Sequence, residues 1–144
     1  MSAVVDSLRG HRAVPHTADV ILEAWGPDLV SCLEEAVAAL VGVFVDVRAA
    51  DVVERRNVHL RPEAPESLLL EVLEEVIFAL DTAEAVPVRV EVHTARDGGL
   101  DLELLLADPQ TVTPTGAVPK AVSRSELEVR SRDGVVRCRF LVDV

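Results

Sequence analysis

Tyrosine is absent from the 144 residues, tryptophan occurs once and phenylalanine three times. Without tyrosine no phenol can act as acid or base, and so few rings cannot build the stacking platform that holds single-stranded nucleic acid. Cations are scarce too. There are 14 Lys+Arg against 25 Asp+Glu, a formal net charge of −11, and the one lysine is Lys120. Such an acidic chain is not expected to bind nucleic acid directly and stably, or to dock on anionic lipid, because both need cations. The two cysteines, Cys32 and Cys138, show neither CxxC nor Cys/His metal spacing. Both sit at apolar positions and are expected to be buried free thiols. No apolar run approaches the roughly 18 residues of a membrane span. The opening MSAVVDSLRG carries no apolar signal core. The expectation is a soluble, cytoplasmic protein. The dinucleotide-binding glycine fingerprint, the phosphate loop, the zinc-protease helix motif and the serine-hydrolase elbow are all missing.

What the chain does have is aliphatic bulk. Hydrophobic residues make up 49% and valine alone supplies 27, so the core should be rich in strand formers. The length suits one domain over residues 1–144, with 1–14 as a flexible lead-in. Charge is uneven. Glu63 to Asp108 holds twelve acids and two bases, whereas Ala117 to Val144 holds six bases and four acids. Solvated strand faces explain the basic C-terminal stretch, and a partner-docking face is the sharper reading of it.

Ala18–Trp25 reads as a strand, broken by Gly26-Pro27-Asp28. Asp28 can cap a helix to about Val45, with Leu29, Leu33, Val37, Leu40, Val41 and Phe44 on one face. Residues 51–60 form an imperfect strand. A second amphipathic helix follows, roughly Pro65 to Asp81, burying Leu69, Val72, Leu73, Val76, Ile77 and Leu80. Two alternating runs, Val86–His93 and Leu100–Leu106, flank the hairpin signal Asp97-Gly98-Gly99. Asp108–Pro119 is a loop by composition. A last hairpin pairs Ala121–Ser131 with Val135–Val144 around Arg132-Asp133-Gly134. Hairpins outnumber helices, so the fold class is α+β, mostly antiparallel, with two amphipathic helices covering the sheet on one side.

Chemistry concentrates where the first strand begins, at Pro15-His16-Thr17-Ala18-Asp19, and where the last ends, at Asp143-Val144. Aspartate is a poor strand former, so its place as penultimate residue of a strand is unexpected on stability grounds. If the first and last strands are neighbours, Asp19, Asp143 and the terminal carboxylate of Val144 meet. Such oxygens repel unless a proton or a hard cation such as Ca²⁺ or Mg²⁺ intervenes. Periodicity alone favours two separate solvated strand ends.

PHTADVILEAWGPDLVSCLEEAVAALVGVFVD resembles the opening of the archease family, with its His-Thr-Ala-Asp strand and Ala-Trp-Gly turn. PESLLLEVLEEVIFALDT resembles that family's second helix, PKAVSRSELEV its Lys-Ala-Val strand, and LVDV its hydrophobic-Asp-hydrophobic end. The resemblance runs in order along nearly the whole chain. It implies an α+β protein of nested strand–helix–strand–strand modules that is not itself an enzyme. It implies a partner, the GTP-dependent RNA ligase of tRNA splicing and RNA repair, whose guanylylation and multiple turnover such proteins promote. It implies a divalent cation on Asp19, Asp143 and Val144, with Ca²⁺ the first expectation and Mg²⁺ or Mn²⁺ its alternatives.

The chain also departs from the family pattern. Ser123-Arg124-Ser125 replaces a Thr-Tyr-His, and Glu74 replaces an asparagine. His16, Thr17 and Lys120 keep the pattern and are candidates for supporting the site or touching a partner. Their ordinary readings are a turn hydrogen-bonder, a capping hydroxyl and a solvated strand residue. Lys120 could also bridge to the acidic cluster. Trp25 reads as packing at a strand–helix corner, and His59 and His93 as structural. Two other functions compete: a partner- or small-molecule-binding module of the same fold without a ligase, and a metal-dependent hydrolase using the two aspartates.

Overall fold

The computed structural model describes residues 8–14 and 19–144. The chain order is β1 (Gly10–Val14), β2 (Asp19–Gly26), α1 (Leu29–Gly42), β3 (Val45–Asp46), β4 (Val52–Leu60), α2 (Pro65–Thr82), β5 (Val86–Thr94) and β6 (Leu100–Ala107). A 3₁₀ turn (Pro109–Thr111), β7 (Thr113–Pro114), β8 (Ala121–Val122), β9 (Glu128–Arg132) and β10 (Val135–Asp143) follow. Every strand pairing is antiparallel, so the α+β expectation holds. The strands form two main sheets. One orders β1-β2-β10-β8 with β9 also on β10, the other orders β4-β6-β5, and β3 with β7 makes a short ribbon.

The helices form where the apolar spacing placed them. In α1 the capping box is complete: the Asp28 carboxylate accepts from the Ser31 backbone N–H at 2.8 Å, while the Ser31 hydroxyl faces the Asp28 N–H. Leu33, Val37, Leu40 and Val41 are buried on its inner face. α1 packs on β1, β2 and β10 of the larger sheet and on β5 of the smaller one, so it ties the sheets together. Glu34 of α1 accepts from the Val92 backbone N–H at 3.0 Å, satisfying a donor on the edge strand β5. In α2, which starts with Pro65, Leu69, Val72, Leu73, Val76 and Ile77 are buried.

Four expectations change. Gly10–Val14 belong not to a flexible lead-in but to edge strand β1, paired with β2 from Gly10↔Trp25 to Val14↔Ile21. Their own pattern is a poor strand signal. Long-range contacts hold them: Arg12 to Glu23 at 2.9 Å, His11 to Glu35 at 2.8 Å, and Gly10 against the Trp25 ring. The first helix stops at Gly42, because Val45–Asp46 pair with Thr113–Pro114 inside the presumed loop. The last hairpin is interrupted: β8 and β9 each pair with β10, but residues 123–127, four of them polar, leave the ladder. The helices do not cover one sheet from one side, since the strands divide into two sheets with α1 packed on both.

Candidate functional site at the ends of the first and last long strands

β10 runs through the middle of the larger sheet and meets β2 in eight register pairs, Val136↔Gly26 through Asp143↔Asp19. Val142, Phe140 and Cys138 of β10 are buried, so the alternate residues Asp143, Leu141, Arg139 and Arg137 project from the other face. Asp19 and Asp143 are thus direct cross-strand neighbours, and such pairs share a face with Cβ atoms roughly 4.5–5.5 Å apart. Asp143 is exposed and Asp19 half-buried. Like charges placed this way destabilise a sheet. Glu23, four residues along β2 on the same face, has two counter-ions, Arg12 at 2.9 Å and Arg139 at 3.6 Å. Among the described residues no ion pair reaches Asp19 or Asp143. Their donor set, two hard carboxylates that no ion pair neutralises among the described residues, is of the kind a hard divalent cation takes. Among the described residues no group of three or more His, Cys, Asp or Glu side chains is arranged to hold a metal ion. Further oxygens would therefore have to come from elsewhere, and Val144 follows directly on Asp143.

The other candidates divide. Val144 is half-buried and packs against the core. Lys120 approaches through its main chain, its N–H donating to the Asp143 carbonyl at 2.8 Å, which brings Ala121 opposite Asp143. The bridge from its ammonium to an acidic cluster is not formed among the described residues. His16 and Thr17 lie outside the described residues. Arg124 and Glu74, both departures from the family pattern, form an ion pair with each other at 3.1 Å. This pair ties the 123–127 excursion to α2.

The thiols are buried and free. Cys138 is pushed well up from the usual thiol range by a hydrogen bond shared with Cys32 and by burial, and a protonated buried thiol is a poor nucleophile. The sequence misses two surface groupings. His59 lies between Asp101 and Asp97, 2.8 Å from each, and these hydrogen bonds, Asp101's first, raise its pKa above the ordinary 6.5. The hairpin of β5 and β6 puts His93 opposite Asp101, whereas His59 comes opposite Asp101 through the pairing of β4 with β6, strands not adjacent in the chain, which no local signal announces. The second grouping is Trp25, which does not merely fill a corner. It lies on the outer face between Arg12 and Arg137, whose guanidinium carbons are 5.7 and 5.4 Å from the ring centroid.

Comparison with known proteins adds to this geometry. Residues 11–144 match the Archease protein family. The chain belongs to the archease family. It is 42% identical over 135 residues to a probable protein archease of Mycobacterium tuberculosis, covering 94% of this chain and 75% of that one. A protein archease of Methanothermobacter thermautotrophicus is 28% identical, with 95% and 100% covered. The solution structure of protein 1598 of Methanobacterium thermoautotrophicum superposes with a TM-score of 0.73 at 26% identity, covering 94% of this chain and 99% of the other. The crystal structure of an archease, possible chaperone, from Thermotoga maritima shares the fold with a TM-score of 0.63 at 18% identity, covering 92% and 96%. Among the described residues no helix is long and apolar enough to cross a membrane.

Proposed function

We propose that this archease is a metal-binding, non-catalytic activator of a GTP-dependent RNA ligase, promoting its guanylylation and multiple turnover in tRNA splicing or RNA repair. The observation that carries the reading is the cross-strand pairing of Asp19 with Asp143, two acids that form no ion pair among the described residues. An accessory role is what membership of the archease family supports. Asp19 and Asp143, with Val144, would hold the ion, Ca²⁺ before Mg²⁺ or Mn²⁺. A divalent cation supplies charge neutralisation at phosphoryl oxygens during nucleotide transfer. The chain's own contribution is position. The ladder between β2 and β10 fixes both carboxylates on one rigid face, and the Lys120 N–H pins the Asp143 main chain. No nucleophile or general base stands beside the pair among the described residues, which favours an accessory over a hydrolase.

The test is guanylylation of the same organism's ligase by labelled GTP, with and without this protein. Wild type should accelerate it, and Asp143→Ala should lose at least tenfold of that acceleration, the loss that follows even removal of a residue supporting a metal ligand. No acceleration by wild type, or full acceleration by Asp143→Ala, overturns the reading.

A further inference from the structure

The strand that ends in the aspartate pair carries a second like-charge pair near its other end. Arg137 of β10 stands directly opposite Arg130 of β9, and on its other side opposite Trp25 of β2. Six residues separate Arg137 from Asp143, roughly 20 Å of strand. Arg139 and Arg12 lie in the next row and Arg132 at the hairpin end, so five of the chain's thirteen arginines share this outer face. Arg12 and Arg139 share Glu23, Arg130 reaches Glu128 at 2.8 Å, and Arg132 reaches Asp133 at 3.6 Å. Arg137 has no ion-pair partner among the described residues and rests on the Trp25 ring. Stability does not account for two guanidinium groups placed opposite each other.

Trp25 is 5% exposed although it sits on the outer face of the sheet. Gly10 makes this possible, since a Cβ there would lie 2.5 Å from a ring carbon. The indole N–H is buried and has no acceptor among the described residues. An unpaired buried donor costs about 1–3 kcal/mol, so stability does not account for the place of the indole either.

We propose that this arginine–tryptophan face docks a carboxylate-rich surface of a protein partner. Forked guanidinium groups match carboxylates in pairs, and arginine and tryptophan dominate the anchors of protein interfaces. A nucleic-acid backbone fits less well. Trp25 is too covered to stack on a base, and a continuous polyanion meets the net charge of −11 of the whole chain, which a local cluster of carboxylates need not. The proposal shares with the ligase reading only the premise of a protein partner.

Trp25 is the sole tryptophan of a chain without tyrosine, so its emission reports on this face. The probe is an octaglutamate peptide at low salt, against octaglutamine and a single-stranded RNA of equal charge. Octaglutamate should change Trp25 emission saturably, fade with salt, and lose the effect in Arg130→Gln/Arg137→Gln. No response, a response kept by the double variant, or stronger binding of the RNA overturns the proposal. A second arm adds the double variant to the ligase assay. It should need about tenfold more protein for half-maximal stimulation, the scale of interface anchors, while keeping any Ca²⁺-dependent thermal shift. If wild type fails to stimulate the ligase, the ligase reading falls and the peptide result still decides this one.

Discussion

A methyl group added at Gly26 would lie 2.3 Å from the Ser31 Oγ and 3.0 Å from the Cys32 backbone nitrogen. The hydroxyl cannot swing away freely, because it donates to the Asp28 carboxylate at 2.6 Å within the capping box. Gly26→Ala should therefore destabilise by roughly 1–3 kcal/mol in urea unfolding, the cost of overpacking plus a weakened cap. Gly42→Ala meets nothing within 4 Å and should stabilise by up to about 1 kcal/mol, since alanine is the better helix former. The Trp-Gly step of the sequence is thus explained by a helix cap pressed against a strand end. His59 gives a second prediction at this scale. Its folded pKa is raised by Asp101 and Asp97, so its contribution to stability is complete below about pH 6.5 and is lost as the pH rises through the folded value. Proton NMR should place its titration above 6.5, and Asp101→Asn should bring it back toward 6.5. An unshifted midpoint in wild type would contradict the clasp.

Among the described strands, β10 has the most ladder partners, with β2 on one side and β8 and β9 on the other. Its Phe140 is fully buried opposite Leu22, so Phe140→Ala should cost about 3–5 kcal/mol in urea unfolding, the range for a core aromatic. Helices and long strands were legible in the sequence because each carries its own period: Leu33, Val37 and Leu40 in α1, Val90, Val92, Leu102 and Leu104 in the second sheet. Elements made by a distant partner were not. β1 has no apolar alternation and exists because Trp25 and Glu23 receive Gly10 and Arg12. β3 and β7, two residues each, exist only through one another. The site divides in the same way. Asp19 and Asp143 could be named from their odd positions in strands, but their register needed the pairing of β2 with β10. The stacking of Arg137 on Trp25 needed that pairing too, because nothing local links positions 25 and 137.

At the scale of the whole molecule, the larger sheet carries acid at one end of its outer face and guanidinium groups at the other, in a chain of net charge −11. Both ends place like charges opposite each other, and a cross-strand pair of one sign is unfavourable by an amount of the order of 0.2–1 kcal/mol. This yields a prediction of opposite sign to the usual loss on substitution. Asp143→Asn removes the repulsion and keeps the shape, so without divalent ions it should unfold at the same or a slightly higher temperature than wild type. In millimolar Ca²⁺ the order should reverse. Wild type gains stability as RT ln(1 + [L]/Kd), about 2.7 kcal/mol at a hundredfold excess over Kd, and the variant, with one carboxylate left, gains little. Scanning calorimetry of both proteins with EDTA and with Ca²⁺ measures this crossing. A variant less stable than wild type in EDTA would mean that Asp143 supports the fold itself. Parallel rises in Ca²⁺ would mean that the ion binds elsewhere, because only a site containing Asp143 ties the two effects to one side chain.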